Sequence, residues 1–297
     1  MLEALFNNVD AMIVLTGAMV GIAASLLGTF LVLRGNAMLS DAISHSIVLG
    51  IVVVWMLTGQ TAGPVQIIGA GLTGVLTVFL TETLARTRRL KDDAAIGIVF
   101  PVLFSIGVLL INLFARDVHI DAHTVLLGEI GFVWLDTVEI FGLFVPRALL
   151  ATGAMALVNL AFVLVFYKEL KLSTFDAALA SALGFMPALI SYLLLGLVSA
   201  TAVAAFDAVG AILFVAFVIV PPAAAYLLTD RLSLMLLYGA LIAIASSVSG
   251  YVLAMWFNVS IGGMMALMTG VALALAYLFG PRHGLVAKAL NRSRSPL

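Results

Sequence analysis

Apolar residues run along this chain in continuous blocks of bilayer length, broken by short polar stretches, with no sustained alternation of period two. A helix needs roughly 20 apolar residues to cross the hydrocarbon core. The pattern predicts spans over 11–33, 38–58, 63–85, 94–114, 148–167, 183–199, 201–228, 232–257 and 262–280. The connector at 199–202, Ser-Ala-Thr-Ala, carries no charge. Its two spans can therefore also form a hairpin within the membrane, which leaves the count at eight or nine. The predicted fold is an all-α, polytopic transmembrane helical bundle, one domain over 1–297. Gly71, Gly74, Gly262, Gly263 and Gly270 permit close helix contact, as small residues do in bilayers.

Composition sharpens this picture. The chain is 64% hydrophobic and 10% charged, with a mean hydropathy of +1.24. A water-facing surface needs far more charge, so a soluble domain is excluded. Continuous apolar runs also exclude an outer-membrane barrel. Zero cysteines exclude disulfides, thiolate metal sites and dithiol redox motifs. Glu3 and Asp10 stand where a cleavable leader would carry positive charge, so none is expected.

Charge placement sets an orientation. The loop Ala85-Arg-Thr-Arg-Arg-Leu-Lys91 holds four basic residues and belongs in the cytoplasm. With nine spans, Arg34, Lys168, Lys171, Arg231 and the 281–297 tail fall on that side too, which puts twelve of fourteen basic residues inside. The N-terminus is then outside and the C-terminus cytoplasmic. Segment 115–147 is too interrupted to span and is expected to form short helices on the outer face. With Glu3 and Asp10, that face carries seven acids against two bases. Asp117, His119, Asp121 and His123 are candidates for an outer cation funnel. An acidic outer face is also what positive-inside sorting leaves behind.

Ionisable residues inside the spans are rare and therefore informative. Asp41 and His45 lie one helical turn apart on one face. A charged group at the bilayer centre costs about 2.5–3.5 kcal/mol on insertion scales, so it normally faces a bundle interior or a wet cavity. Carboxylate plus imidazole suits a divalent transition metal. The same pair could equally hydrogen-bond between helices. A second intramembrane acid, Asp207, precedes a Pro221-Pro222 pair whose freed carbonyls must face protein or water. Asp207 lines the same pathway or pairs with a neighbouring helix. In the cytoplasmic region 168–184, Ser173 or Thr174 can cap a short helix, along which Asp176, Ala180 and Gly184 recur every four residues. Such a helix suits docking into a partner's groove, or is an ordinary entry into the next span.

Absent motifs narrow the class further. The chain has no Gly-x-x-x-x-Gly-Lys-Ser/Thr, so it binds no ATP through a P-loop. Neither His-Glu-x-x-His nor Gly-x-Ser-x-Gly occurs, so a membrane hydrolase has no visible apparatus. Few, clustered, buried polar groups in a helical bundle make a transport pathway. The basic loops are short and explained by topology, so nucleic acid is not an expected partner.

Four stretches together resemble the zinc/manganese/iron ABC-transporter permeases. They are Ser40-Asp41-Ala-Ile-Ser44-His45 with Gly50, Lys91-Asp-Asp-Ala-Ala-Ile-Gly-Ile-Val-Phe100, His123-Thr-Val-Leu-Leu-Gly-Glu129, and Ala208-Val-Gly-Ala-Ile-Leu213 with Val220-Pro-Pro-Ala-Ala-Ala-Tyr-Leu-Leu-Thr-Asp-Arg231. The resemblance covers about 11–280. It implies the membrane permease subunit of an uptake system, with no ATPase site of its own. Its implied partners are a cytoplasmic ATP-binding subunit, a second identical or paralogous permease, and an extracytoplasmic metal-binding protein. Asp41 and His45 are the implied metal ligands, and the loop around Phe175-Asp176 the implied ATPase-coupling helix. No permanently bound cofactor is implied; the metal, Mn2+, Fe2+ or Zn2+, is cargo. The sequence departs from the family pattern at Ser40 (usually Gly), Leu49 (commonly Pro), Pro222 (usually Ala) and Asp207 (usually uncharged).

One chain offers two good ligands, too few for a closed site; two subunits about a two-fold axis offer four. Imidazole with carboxylate disfavours Mg2+ and Ca2+. The Tyr226–Arg231 ending is similar to manganese and iron members. Neutral imidazole binds metal and imidazolium does not, so uptake is expected to fall with pH. The competing readings are a proton-coupled secondary transporter, with Asp41, His45 and Asp207 as its relay, and an ABC permease for a siderophore or cobalamin-type ligand.

Overall fold

The computed structural model describes residues 8–59, 64–85, 87, 89–114, 129–140, 142–281 and 284–286. The candidate funnel residues Asp117, His119, Asp121 and His123 lie outside the described residues. The described chain forms helices α1 (Val9–Leu33), α2 (Ala37–Thr58), α3 (Pro64–Ala85), α4 (Asp92–Phe114), α5 (Arg147–Val165), α6 (Tyr167–Phe175), α7 (Ala177–Ala182), α8 (Pro187–Leu228), α9 (Leu232–Phe257) and α10 (Ile261–Phe279). Among the described residues, nine helical stretches are long and apolar enough to cross a membrane, with α8 supplying two of them. The all-α bundle is therefore as predicted.

Local chemistry sets the helix ends. The Asn8 side chain accepts from the Asp10 N–H at the start of α1, and Ser260 accepts from the Gly263 N–H at the start of α10. Inside the bundle, Thr73, Thr77 and Thr81 each donate to the carbonyl four residues back, so α3 hides its hydroxyls along its own backbone. At Gly28, a Cβ would lie 1.8 Å from the Val218 carbonyl oxygen, so α1 and α8 meet backbone against backbone.

Two readings of the pattern need correction. Segment 129–146 is not purely helical. A 3-10 helix at Ile130–Leu135 is followed by an antiparallel hairpin, β1 (Thr137–Ile140) with β2 (Leu143–Pro146). The Arg147 Nε lies 3.1 Å from the Asp136 Oδ1 and ties the hairpin to the start of α5. The short strands alternate too few residues to register against the longer apolar runs. The second correction concerns 199–202, which is continuous helix. The break falls instead at Gly210, where φ is 67° and ψ 172°, a conformation open to glycine.

The break at Gly210 reverses the chain. Arg34, just past α1, reaches Ser191 near the start of α8. At the other end of α1, Asp10 accepts from the Tyr251 hydroxyl of α9. Between them, Gly21 faces Ala243, and Gly239 faces Ser25 and Pro222. The start of α9, and with it the end of α8, thus lies at the Arg34 end, like the start of α8. A straight helix of 42 residues would reach about 63 Å, twice the hydrocarbon thickness. Its two arms, Pro187–Phe206 and Ala208–Leu228, are each long and apolar enough to cross once.

Candidate metal site and coupling surface

Asp41 and His45 sit on the first half of α2, with the His45 Nε2 3.6 Å from the Asp41 Oδ1. That separation is too long for a hydrogen bond. Among the described residues neither side chain has a hydrogen-bond partner, so the interhelical bond of a purely structural pair is not found. Ser40 and Ser44 donate to the Ala37 and Asp41 carbonyls of their own helix and leave the two ionisable groups unassisted. The His45 ring stacks on Phe100 at 5.7 Å and meets Phe104 edge-on at 6.1 Å. These two α4 side chains fix one side of the imidazole without competing for its nitrogens.

The pair opens outward. Side-chain exposure is 40% for Asp41 and 32% for His45 within the single chain. Two ionisable groups left open on a helix of mean hydropathy 1.9 would be costly against lipid. The flank they occupy therefore faces a partner or a water-filled path. Among the described residues, no cluster of three or more His, Cys, Asp or Glu could hold a metal ion.

Depth follows from the neighbours. Ile43, between the two candidates, lies against Gly74, the middle of α3, and Gly74 in turn meets Ser199, well inside the first arm of α8. Phe100 and Phe104 occupy the middle of α4. The pair thus sits at mid-depth of the surrounding helices although it begins α2. Gly35, at φ 71°, and the Asn36 N–H bond to the Leu31 carbonyl turn the chain back into the bundle directly after α1.

Other candidates fare differently. Asp207 lies in α8 near the Gly210 break; its side chain lies outside the described structure. Asp176 caps α7 by accepting from the Leu179 N–H at 2.8 Å. Ser173 and Thr174 cap nothing: both lie inside α6. Ala180 is fully buried, and Gly184 lies past the end of α7 in a positive-φ turn, so Asp176, Ala180 and Gly184 do not share an open face. Other side chains of this segment are open: Phe175 (63% exposed), Leu179 (46%), Leu183 (61%) and Met186 (67%) are large exposed apolar groups at the Arg34 end. The spacing of Phe175, Leu179 and Leu183 was visible in the sequence as an i, i+4, i+8 repeat.

Two polar groups had no sequence signal beyond their type. Asn159 is fully buried and donates to the Ala23 carbonyl at 3.0 Å and to the Thr201 hydroxyl at 2.9 Å, binding α5 to α1 and α8. Arg34 donates from Nε to Thr174 (3.1 Å), and from its two terminal nitrogens to Ser191 (2.6 Å) and Ser173 (2.9 Å). Burial pulls its guanidinium below the ordinary arginine pKa, and the charge is met by hydroxyls.

Comparison with known proteins agrees with this architecture. The family described as ABC-3, ABC 3 transport family, matches residues 9–280. The manganese transport system membrane protein MntD of Bacillus subtilis (strain 168) is 49% identical over 95% of this chain and 96% of that protein. The zinc transport system membrane protein TroD of Treponema pallidum (strain Nichols) is 48% identical over 94% of this chain and 76% of that protein. Among solved structures, PsaBC from Streptococcus pneumoniae in complex with Fab superimposes with a TM-score of 0.78 at 27% identity, covering 98% of each chain. A match to the family over nearly its whole length, together with relatives near half identity, means that this chain belongs to the ABC 3 transport family.

Proposed function

We propose that this chain is the membrane-spanning permease of an ATP-driven importer of a divalent transition metal, manganese first among Mn2+, Fe2+ and Zn2+. The observation that carries the reading is the Asp41–His45 pair, open on one flank at mid-depth and lacking hydrogen-bond partners among the described residues. Two such pairs across a two-fold axis, or one pair with a paralogue's, supply four N and O ligands, enough for tetrahedral or incomplete octahedral coordination. The preference for manganese rests on MntD, named for manganese transport, at 49% identity; TroD, named for zinc, at 48% keeps the margin narrow.

In this reading the chain sits in the bacterial plasma membrane with the Arg34 end in the cytoplasm. ATP is hydrolysed by a separate cytoplasmic subunit, which docks on the Phe175, Leu179, Leu183 and Met186 side chains. An extracytoplasmic metal-binding protein delivers the ion at the opposite face. Closure of the ATP-binding subunits then rocks the bundle about the metal pair.

The test is element-by-element metal accumulation in cells carrying the wild type, Asp41→Ala or His45→Ala at equal expression. Loss of one divalent metal in both variants is the expected result. Retained accumulation in either variant, or transport by this chain alone in liposomes, sinks the reading.

A further inference from the structure

We propose that Arg34 is a positioning residue that locks the coupling segment to the start of the metal-bearing helix, so that movement of one repositions the other. The proposal rests on the docking role given above to the exposed side chains around Phe175.

Arg34 is the junction of three elements. Its guanidinium fork reaches Ser173 and Thr174 of α6 and Ser191 of α8, all within 3.1 Å. The acceptors are aimed: Ser173 gives its own proton to the Leu170 carbonyl and Ser191 gives its own to the Pro187 carbonyl, which leaves oxygen lone pairs for the cation. The backbone on the other side is equally fixed. The N–H groups of Arg34, Gly35 and Asn36 donate to the Phe30, Val32 and Leu31 carbonyls. Residue 37 then begins α2, whose N-terminus has no side-chain cap and is held by this turn. Asp41 follows within the first two turns.

The bonds also have the right strength for a switch. All three acceptors found among the described residues are neutral hydroxyls, so the fork is held by charge-to-dipole bonds and not by a carboxylate. Withdrawing the two α6 hydroxyls strands no buried anion and leaves the guanidinium its Ser191 partner, whereas a buried ion pair broken on one side leaves both charges uncompensated. A rigid fork across two helices is a task for arginine; lysine offers one point donor.

The experiment uses the complete transporter in proteoliposomes, this permease with its second permease subunit, the ATP-binding subunit and the metal-binding protein, loaded with Mn2+. Two quantities are read: co-purification of the ATP-binding subunit, and Mn2+ moved per ATP hydrolysed. For R34Q the expected result is normal co-purification and about a tenfold fall in Mn2+ per ATP. The S173A/T174A double variant, which keeps the arginine, is expected to fall similarly and to add little to R34Q, and R34K is expected not to restore the ratio. An unchanged ratio in R34Q or S173A/T174A, full rescue by R34K, or loss of the ATP-binding subunit in proportion to transport would each overturn the proposal. A separate arm, F175D/L179D, judges the docking reading: if the ATP-binding subunit still co-purifies, that reading fails whatever Arg34 does.

Discussion

Two regions of this bundle treat polarity in opposite ways. Along the seam of α1 with α8, the apolar stretch of α1 is 72% buried, whereas that of α4, beside Asp41 and His45, is 22% buried. In the seam, Asn159 is closed off; its amide nitrogen is spent on Ala23 and Thr201, and its buried Oδ1 has no hydrogen-bond partner among the described residues. On the flank, Asp41 and His45 are left open and touch each other only loosely. Burying a polar group without a partner costs free energy, and Asn159 is enclosed together with acceptors for its donor group. A group kept available for a ligand is left with its lone pairs unspent. The seam is closed around its polar group, and the flank leaves its polar groups open.

That division can be broken by substitution. The largest effect is expected at Gly28→Val, where the new side chain collides with the Val218 backbone; no folded, detergent-stable protein should be recovered on size exclusion. Next comes Asp41→Leu with His45→Leu. Metal accumulation should fall roughly 100-fold, while the thermal midpoint in detergent stays level or rises, because apolar residues replace an uncompensated pair. A large drop in the midpoint would show that the pair is structural after all. Asn159→Ala should do the reverse, costing about 1–3 kcal/mol in unfolding free energy with transport per folded molecule unchanged. Smallest is Leu157→Ala on the outward face of α5, where the side chain is 70% exposed; unfolding should shift by less than about 0.5 kcal/mol. A larger shift there would mean that this face is covered in the assembled protein.

Much of the architecture was legible in the chain because a bilayer imposes a single strong rule on it. With a barrel excluded, every spanning segment must be long, apolar and helical, so seven blocks appeared within a few residues of their positions. The exceptions share a cause. The break at Gly210 was missed because Ser199-Ala-Thr-Ala looked more like a connector than Gly210, whose positive φ leaves no mark on hydropathy. The hairpin of β1 and β2 was missed because eight strand residues carry too little period-two pattern. Ser173 and Thr174 read as helix caps, since local preference is all a sequence displays; their actual role depends on Arg34, some 140 residues earlier.

The candidate site divides along the same line. Periodicity alone placed Asp41 and His45 on one face, because helical geometry is local and three residues between them set the angle. It left their depth undecided, and a straight continuation from α1 would put them near the end of the membrane. The turn at Gly35 and Asn36, and the packing of Ile43 against Gly74, bring them to mid-depth. The exposure of the pair, the wall formed by Phe100 and Phe104, and the bridge from Arg34 to α6 likewise came only with the fold. Identity, spacing and helical face are properties of neighbours in the chain. Depth, openness and coupling are set by residues far apart in sequence, and only tertiary packing brings those together.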